Sequence, residues 1–349
     1  MLILHKYKVG IIGSGLQANR RAESIQSNQY CVVNTIAGID KDTLSKLAKK
    51  CYAKEENDWQ NIILNNEIDI VLICTPPHLH FEIASLALEN NKHVLCEKPL
   101  TMSSKDAIKL HNISLKTNSK IMCGFNHRHH PAVIEAYKVV KQGKIGTPIT
   151  GRAVYGICGR EGCENEWRSD PKCVSGGQLM EQGIHIADLF RWFMGDFESV
   201  SADVSTQVFP IFPLEDTAVM LLHGSNGKTA TIHSSITQWR NKFRFELYGT
   251  QGYVEITGLG GSYDLEQLVI GKREPESPFS EKIVDYRGSD KSWVNEWNYF
   301  IDVIENNEEF EMGNTLDAAI ANYFVERAYE ASSSKTRLGL NKDALVNKI

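Results

Sequence analysis

The chain has 349 residues, too many for one small core, so two domains are expected. A formal net charge of −5 and the lack of any Lys/Arg-rich run argue against a nucleic-acid partner. No apolar run approaches the length of a membrane span, which argues against a membrane partner. The N-terminus, MLILHKYKVGIIG, runs directly into a glycine motif without a long h-region or a cleavage site. No signal peptide is therefore expected, and a cytoplasmic location follows.

The first third alternates short apolar runs with helical patterns. Strands are expected at Tyr7–Ile12, Val32–Asp40, Ile68–Thr75, His93–Glu97 and Lys120–Phe125, and helices at Leu16–Ser27, Lys41–Lys50, Leu79–Asn90 and Ser104–Thr117. Near-continuously apolar strands separated by helices mean parallel βαβ units in a doubly wound Rossmann sheet. From about residue 126 the character changes. A helix at Pro131–Gln142 leads to longer, alternating strands at Ile149–Gly156, Ser199–Val208, Ala218–His223, Lys228–Thr237, Phe243–Tyr248 and Tyr253–Thr257. Ser225-Asn226-Gly227 and Gly249-Thr250-Gln251-Gly252 read as hairpin turns. Helices return at Ser292–Asn306 and Thr315–Ser332. The fold class is thus α/β: residues 1–125 form a Rossmann domain, and 126–349 form an α+β domain with an open, mostly antiparallel sheet.

Eight scattered cysteines, several inside expected strands, suit buried thiols in a reducing cytosol. Cys158, Cys163 and Cys173 are close enough in sequence to raise a metal site, but their spacing matches no zinc motif and no CxxC pair occurs, so no metal is expected.

Residues 13–18 read GSGLQA, a GxGxxA motif between a strand and a helix. Gly13 permits the tight turn, Gly15 lets a pyrophosphate approach the backbone, and Ala18 lets helix and strand pack closely. The phosphates would sit at the helix N-terminus beginning with Leu16. The second strand ends at Asp40, placed to accept hydrogen bonds from ribose hydroxyls and to repel a 2′-phosphate, which favours NAD over NADP. Asp40 also reads as the N-cap of the next helix, and both roles can coexist.

The segment 176–192, GGQLMEQGIHIADLFRW, reads as one helix. Leu179, Gly183, Ile186 and Phe190 form its buried stripe, while Glu181, His185, Asp188 and Trp192 share the opposite face. A histidine between two carboxylates suggests proton transfer; a satisfied buried histidine is the plainer alternative. The preceding Gly176-Gly177 pair lets something approach the backbone. Thr75-Pro76-Pro77 stops one strand where a crevice is expected, and Glu97-Lys98-Pro99 lies at the carboxyl end of the next. Lys98 is held stiffly beside Pro99, possibly across a cis bond. Standing alone, it could equally be a solvated lysine paired with Glu97. Between Gly151 and Pro171, Tyr155, Arg160, Trp167 and Arg168 can line a cleft, and aromatic planes beside guanidinium groups suit a sugar bearing an acid or phosphate. Ordinary pairing with Glu161, Glu164, Glu166 and Asp170 is the alternative.

Together, the glycine fingerprint, TPPHLH (75–80), Glu97-Lys98-Pro99, Gly124-Phe125-Asn126-His127-Arg128 and the 176–192 stretch resemble the Gfo/Idh/MocA oxidoreductases over nearly the whole chain. The resemblance implies NAD as cofactor, with Gly13, Gly15, Leu16, Asp40, Thr75, Pro76, His80, Glu97, Lys98 and Asn126 on the cofactor side. It implies a catalytic lysine at Lys98 and an Asp…His pair whose histidine is His185; Glu181 replaces the aspartate, a departure of one methylene. His185 would take the proton of a substrate hydroxyl as hydride leaves its carbon, and Lys98 would hydrogen-bond the same hydroxyl, either group serving as the base. The likeness points to the surface-polysaccharide branch and hence a sugar nucleotide, contacted by Lys98, Tyr155, Arg160, Trp167, Arg168, Glu181 and His185. An inositol or aldose is the alternative substrate. Redox-dependent glycoside cleavage and a non-catalytic NAD- or sugar-sensing protein are alternatives of other classes. A homodimer or homotetramer through the open sheet face is also implied.

Overall fold

The computed structural model describes residues 7–276 and 280–346; the N-terminal MLILHK of the stretch weighed above for a signal sequence thus lies outside the described residues. One compact unit ends at Phe125 and also takes in Trp293–Ala319, and the second comprises Asn126–Ser292 and resumes at Ile320.

In the first unit six parallel strands form a single sheet: β1 (Tyr7–Ile12), β2 (Cys31–Ala37), β3 (Lys54–Glu56), β4 (Ile70–Ile73), β5 (His93–Cys96) and β6 (Ile121–Cys123). Their order is β3-β2-β1-β4-β5-β6, reversing direction between β1 and β4, where ligands bind in doubly wound sheets. Helices α1 (Leu16–Ser27), α2 (Lys41–Cys51), α3 (Trp59–Leu64), α4 (His80–Glu89) and α5 (Ser104–Ser114) connect them. All four residues of β4 are buried, as a strand covered on both faces requires. β3 and α3 escape a sequence reading: β3 is a three-residue polar edge strand, Lys-Glu-Glu, and α3 is only six residues long.

The second unit is built on nine strands: β7 (Pro148–Cys158), β8 (Ser199–Ser205), β9 (Thr217–His223), β10 (Thr229–Ser235), β11 (Thr237–Gly249), β12 (Gly252–Thr257), β13 (Glu266–Lys272), β14 (Ser280–Tyr286) and β15 (Leu338–Gly339). The order is β14-β13-β12-β11-β7-β10-β9-β8-β15, and only β7 and β10 run parallel among these pairs. Two expected strands, Lys228–Thr237 and Phe243–Tyr248, are redrawn: β10 stops at Ser235 and β11 continues to Gly249, with a register shift between Thr237 and Lys242. Helix α6 (Pro131–Lys141) precedes β7, and α7 (Ile184–Met194) lies between β7 and β8.

The sequence reading has one continuous helix over 176–192. Instead, Leu179–Gly183 forms a π turn and the α-helix begins at Ile184. The stripe residues Leu179, Ile186 and Phe190 are fully buried, but so are His185 and Asp188, at 4% and 1% exposure. A helix with its polar residues buried has neither a simple amphipathic pattern nor a solvated face. Past β14, α8 (Ser292–Asn306) packs Trp297, Phe300, Ile301, Val303 and Ile304 into the core cluster that holds Val9, Ile11, Leu72 and Leu95. Packing thereby assigns 293–319 to the first unit, although the sequence reading places all of 126–349 in one domain.

Candidate active site

The glycine turn follows β1 directly. Gly13 has φ +109°, and a Cβ there would lie 2.6 Å from the Cys74 carbonyl oxygen, so this position needs glycine twice over. A Cβ on Gly15 would meet nothing within 4 Å and would project into open space. Gly15 caps α1 without a side-chain hydrogen bond, and the first turn of α1 holds no acid, so its amides face outward as an anion cradle. Leu16 opens α1 and is 65% exposed, while Ala18 is fully buried. These features fit a dinucleotide, whose pyrophosphate they would hold.

Asp40 caps α2: its Oδ1 accepts the Thr43 amide at 2.8 Å, and that bond holds the carboxyl below its ordinary range. Asp40 is exposed and ionised beside the glycine turn, which keeps the ribose role open alongside the cap. Just past β4 the Thr75 hydroxyl is buried and has no hydrogen-bond partner among the described residues, which fits a bound polar ligand. Pro76 is extended and leads into a single 3₁₀ turn at Pro77–Leu79. His80 lies inward of this turn: Nε2 contacts the Thr75 carbonyl and Nδ1 the Pro99 carbonyl, both at 2.8 Å. Its ring nitrogens thus tie two backbone segments together. Burial pushes its pKa down.

Glu97 is buried, and it accepts 2.8 Å from Arg21 Nε, while Arg21 Nη1 donates to Glu296. The Arg21 guanidinium also lies 4.6 Å from the centre of the Trp293 ring. A Cβ on Gly124 would come within 2.5 Å of Arg21 Nη2, so the glycine of the GFNHR segment makes room for this ion pair. Glu97 thus has a buried partner from α1. Lys98 is half-buried at the end of β5, and the bond to Pro99 is cis.

In the second unit the His185 ring stacks on His127, with centroids 3.9 Å apart and planes 21° apart. Tyr155 of β7 stands 5.1 Å from His127 and 6.4 Å from His185. Burial pushes the Tyr155 phenol well up, and Tyr263 hydrogen-bonds it and raises it further, so it stays neutral. Glu181, on the π turn, is half-buried and meets Arg168 Nε at 3.5 Å. Asp188 binds Arg128 through two hydrogen bonds, one of 2.8 Å to Nε and one of 2.5 Å to Nη2. Arg128 therefore anchors α7 directly. Asn126 is buried, donates to Ser292 Oγ at 2.9 Å and turns its Oδ1 toward His127 Nδ1.

The Gly176-Gly177 pair makes room for the chain itself. A Cβ on Gly177 would lie 2.1 Å from the Glu215 carbonyl oxygen, and one on Gly176 would lie 2.1 Å from the Tyr329 hydroxyl. The Glu215 carboxylate accepts the amides of Gly177 (2.9 Å) and Leu179 (2.8 Å) and the Tyr329 hydroxyl (2.8 Å). A residue just ahead of β9 thus caps the π turn that leads to His185. Sequence reasoning missed Glu215 and Tyr329, for which the adjacent acids of Glu215-Asp216 at the mouth of a strand were the only local hint, and named His127 only within the 124–128 motif, with no role of its own.

In the expected substrate loop, Tyr155 is buried and Trp167 packs on the small core of Val174, Ile211, Leu214 and Ile236. Arg160 is exposed and pairs with Glu166 at 2.7 Å, while Arg168 lies 4.2 Å from the centre of the Trp167 ring. All eight cysteines are free, and among the described residues no three His, Cys, Asp or Glu side chains gather as a metal site. Nor is any described helix long and apolar enough to cross a membrane.

Residues 7–125 match the family model of an oxidoreductase family with an NAD-binding Rossmann fold, and residues 133–255 match that of the GFO/IDH/MocA C-terminal domain. The chain is 26% identical over 295 residues to a levoglucosan dehydrogenase of Pseudarthrobacter phenanthrenivorans, covering 72% of this chain and 73% of that protein. It is 28% identical over 259 residues to a myo-inositol 2-dehydrogenase of Thermotoga maritima, covering 73% of each. A solved levoglucosan dehydrogenase in complex with NADH and L-sorbose shares the fold, with a TM-score of 0.88 and 21% identity over 96% of this chain and 99% of that one. The two family models, one on each side of residue 126, meet the turn geometry of Gly13 and Gly15 and the two sheets: the chain belongs to the GFO/IDH/MocA family of NAD-binding oxidoreductases.

Proposed function

We propose that this protein is an NAD-dependent dehydrogenase that oxidises a ring hydroxyl of a free sugar or polyol, or runs the reverse reduction. The observation that carries the substrate class is how its loop arginines are used. Arg160 is paired with Glu166, and Arg168 lies on Trp167 and meets Glu181. Guanidiniums already matched with carboxylates favour an uncharged ligand over a phosphate or uronate. The names of the two relatives, a levoglucosan and an inositol dehydrogenase, support the same class.

NAD, when bound, supplies the hydride acceptor. His185 takes the hydroxyl proton, for which an imidazole is suited near neutral pH. Lys98 donates a hydrogen bond to the same oxygen and stabilises developing alkoxide. The aromatic faces of Tyr155 and His127 suit a sugar ring beside His185. Gly13, Gly15 and Asp40 hold the dinucleotide, and the Thr75 hydroxyl offers it a hydrogen bond.

A nucleotide sugar of surface-polysaccharide synthesis is the second reading, favoured by the aromatic and guanidinium groups of the 151–171 loop. The deciding experiment follows nicotinamide absorbance when the protein and NAD meet levoglucosan, inositols, aldoses and UDP-sugars. Reduction with the neutral compounds alone supports the proposal, and reduction confined to UDP-sugars overturns its substrate class. Release of free sugar from a glycoside without NADH accumulation would instead identify redox-dependent cleavage.

A further inference from the structure

Two buried side-chain oxygens near the glycine turn of the first unit have no hydrogen-bond partner among the described residues: Oε1 of Gln17, in the first turn of α1, and the hydroxyl of Thr75. The topology separates them from Asp40. Asp40 follows β2 and Thr75 follows β4, and these two strands flank β1 on opposite sides. A dinucleotide lies across that reversal point, so a ribose held at Asp40 leaves the nicotinamide half to the β4 side. The glycine turn adjoins Thr75 directly, since a Cβ on Gly13 would lie 3.2 Å from its amide nitrogen. Gln17 stands one helical turn before Arg21, on the same face of α1. Arg21 reaches Glu97 beyond β5 at 2.8 Å, and its Nη2 would be 2.5 Å from a Cβ on Gly124 beyond β6. That face of α1 therefore looks toward the carboxyl ends of β5 and β6. Helical side chains lean toward the helix N-terminus, so Gln17 extends from this face toward the glycine turn.

We propose that Gln17 Oε1 accepts a hydrogen bond from the carboxamide N–H of bound NAD and so orients the nicotinamide ring. The contact rests on NAD as the cofactor of the Rossmann unit. A buried acceptor calls for a donor. The pyrophosphate carries none at neutral pH, and the amino group of adenine belongs to the other half, on the Asp40 side. The carboxamide is the N–H donor of the nicotinamide half. Thr75 strengthens the match, because its hydroxyl can donate: an acceptor from Gln17 and a donor from Thr75 complement the N–H and the C=O of a primary amide. Such a bond limits rotation of the ring about its link to ribose, and with it the ring face presented to a substrate.

The test is binding calorimetry on the full chain with three ligands: NAD, 3-acetylpyridine adenine dinucleotide, in which a methyl group replaces the carboxamide NH₂, and ADP-ribose, which has no nicotinamide. The unaltered protein should bind NAD roughly 5- to 10-fold tighter than the acetylpyridine analogue, the scale of one buried hydrogen bond. In Gln17→Leu that preference should shrink to about twofold or less, while ADP-ribose binds as before. Gln17→Met, closer in shape, provides a second variant should leucine disturb α1. A preference for NAD over the analogue that is the same in wild type and a folded variant overturns the proposal, whether or not both ligands weaken together; equal weakening would place Gln17 on the ribose or the pyrophosphate instead. No preference in the unaltered protein overturns it as well. Failure of the unaltered protein to bind ADP-ribose would refute the cofactor site itself, and the contact with it.

Discussion

The Glu215 carboxylate, two residues ahead of β9, grips the backbone of Gly177, 38 positions earlier in the chain. A methyl group on Gly177 would collide with the Glu215 backbone, whose carbonyl accepts the Gln178 amide at 3.2 Å. Gly177→Ala should therefore destabilise the protein by about 2 kcal/mol or more, as overpacking against backbone does. Glu215→Ala strands two amides and a phenol and should cost roughly 2–5 kcal/mol. Urea unfolding measures both. A Gly177→Ala protein as stable as wild type would mean that the two segments separate readily.

Arg21 and Glu97 predict a division of labour within Glu97-Lys98-Pro99. Arg21 is fully buried between two carboxylates, and removing one partner of a buried ion pair costs about 3–5 kcal/mol. Glu97→Ala should thus lower stability by that order. Lys98→Ala should leave the unfolding midpoint nearly unchanged. Comparing the two midpoints checks whether the neighbouring charges serve different ends; equal destabilisation would contradict it.

For the chemistry, Lys98→Ala and His185→Ala should each cut turnover by at least ~10²-fold, the usual scale for acid–base groups. NAD binding, followed by calorimetry, should persist in both. Near-wild-type turnover in the two variants would remove them from the reaction.

Asp40 carries two roles that different substitutions separate. Asp40→Asn keeps the cap on Thr43 but loses the charge, so α2 should stay stable while the preference for NAD over NADP relaxes. Asp40→Ala should relax the preference equally and also lose about 1 kcal/mol of stability. If neither variant changes cofactor preference, the residue is only a cap.

Much of the first unit was legible because its signals are local. Gly13, Gly15 and Ala18 fall within six residues between a strand and a helix, and their reasons are contained in that turn. The apolar runs of β1, β2 and β4 announce buried parallel strands. β13 and β14 were not legible: their outward residues, such as Ile283 at 57% exposure, break the alternation that marks a half-buried strand.

By itself, the sequence determined the kind of fold and the dinucleotide turn, because short-range patterns suffice for those. Only the tertiary structure decided who holds whom. Arg21 reaches Glu97 across 76 positions, Arg128 reaches Asp188 across 60, and His185 stacks on a histidine from a turn that carries no helical period to announce it. Periodicity reports which side of an element is buried. Which partner satisfies a buried charge depends on contacts made after the chain has folded, and no spacing rule encodes them.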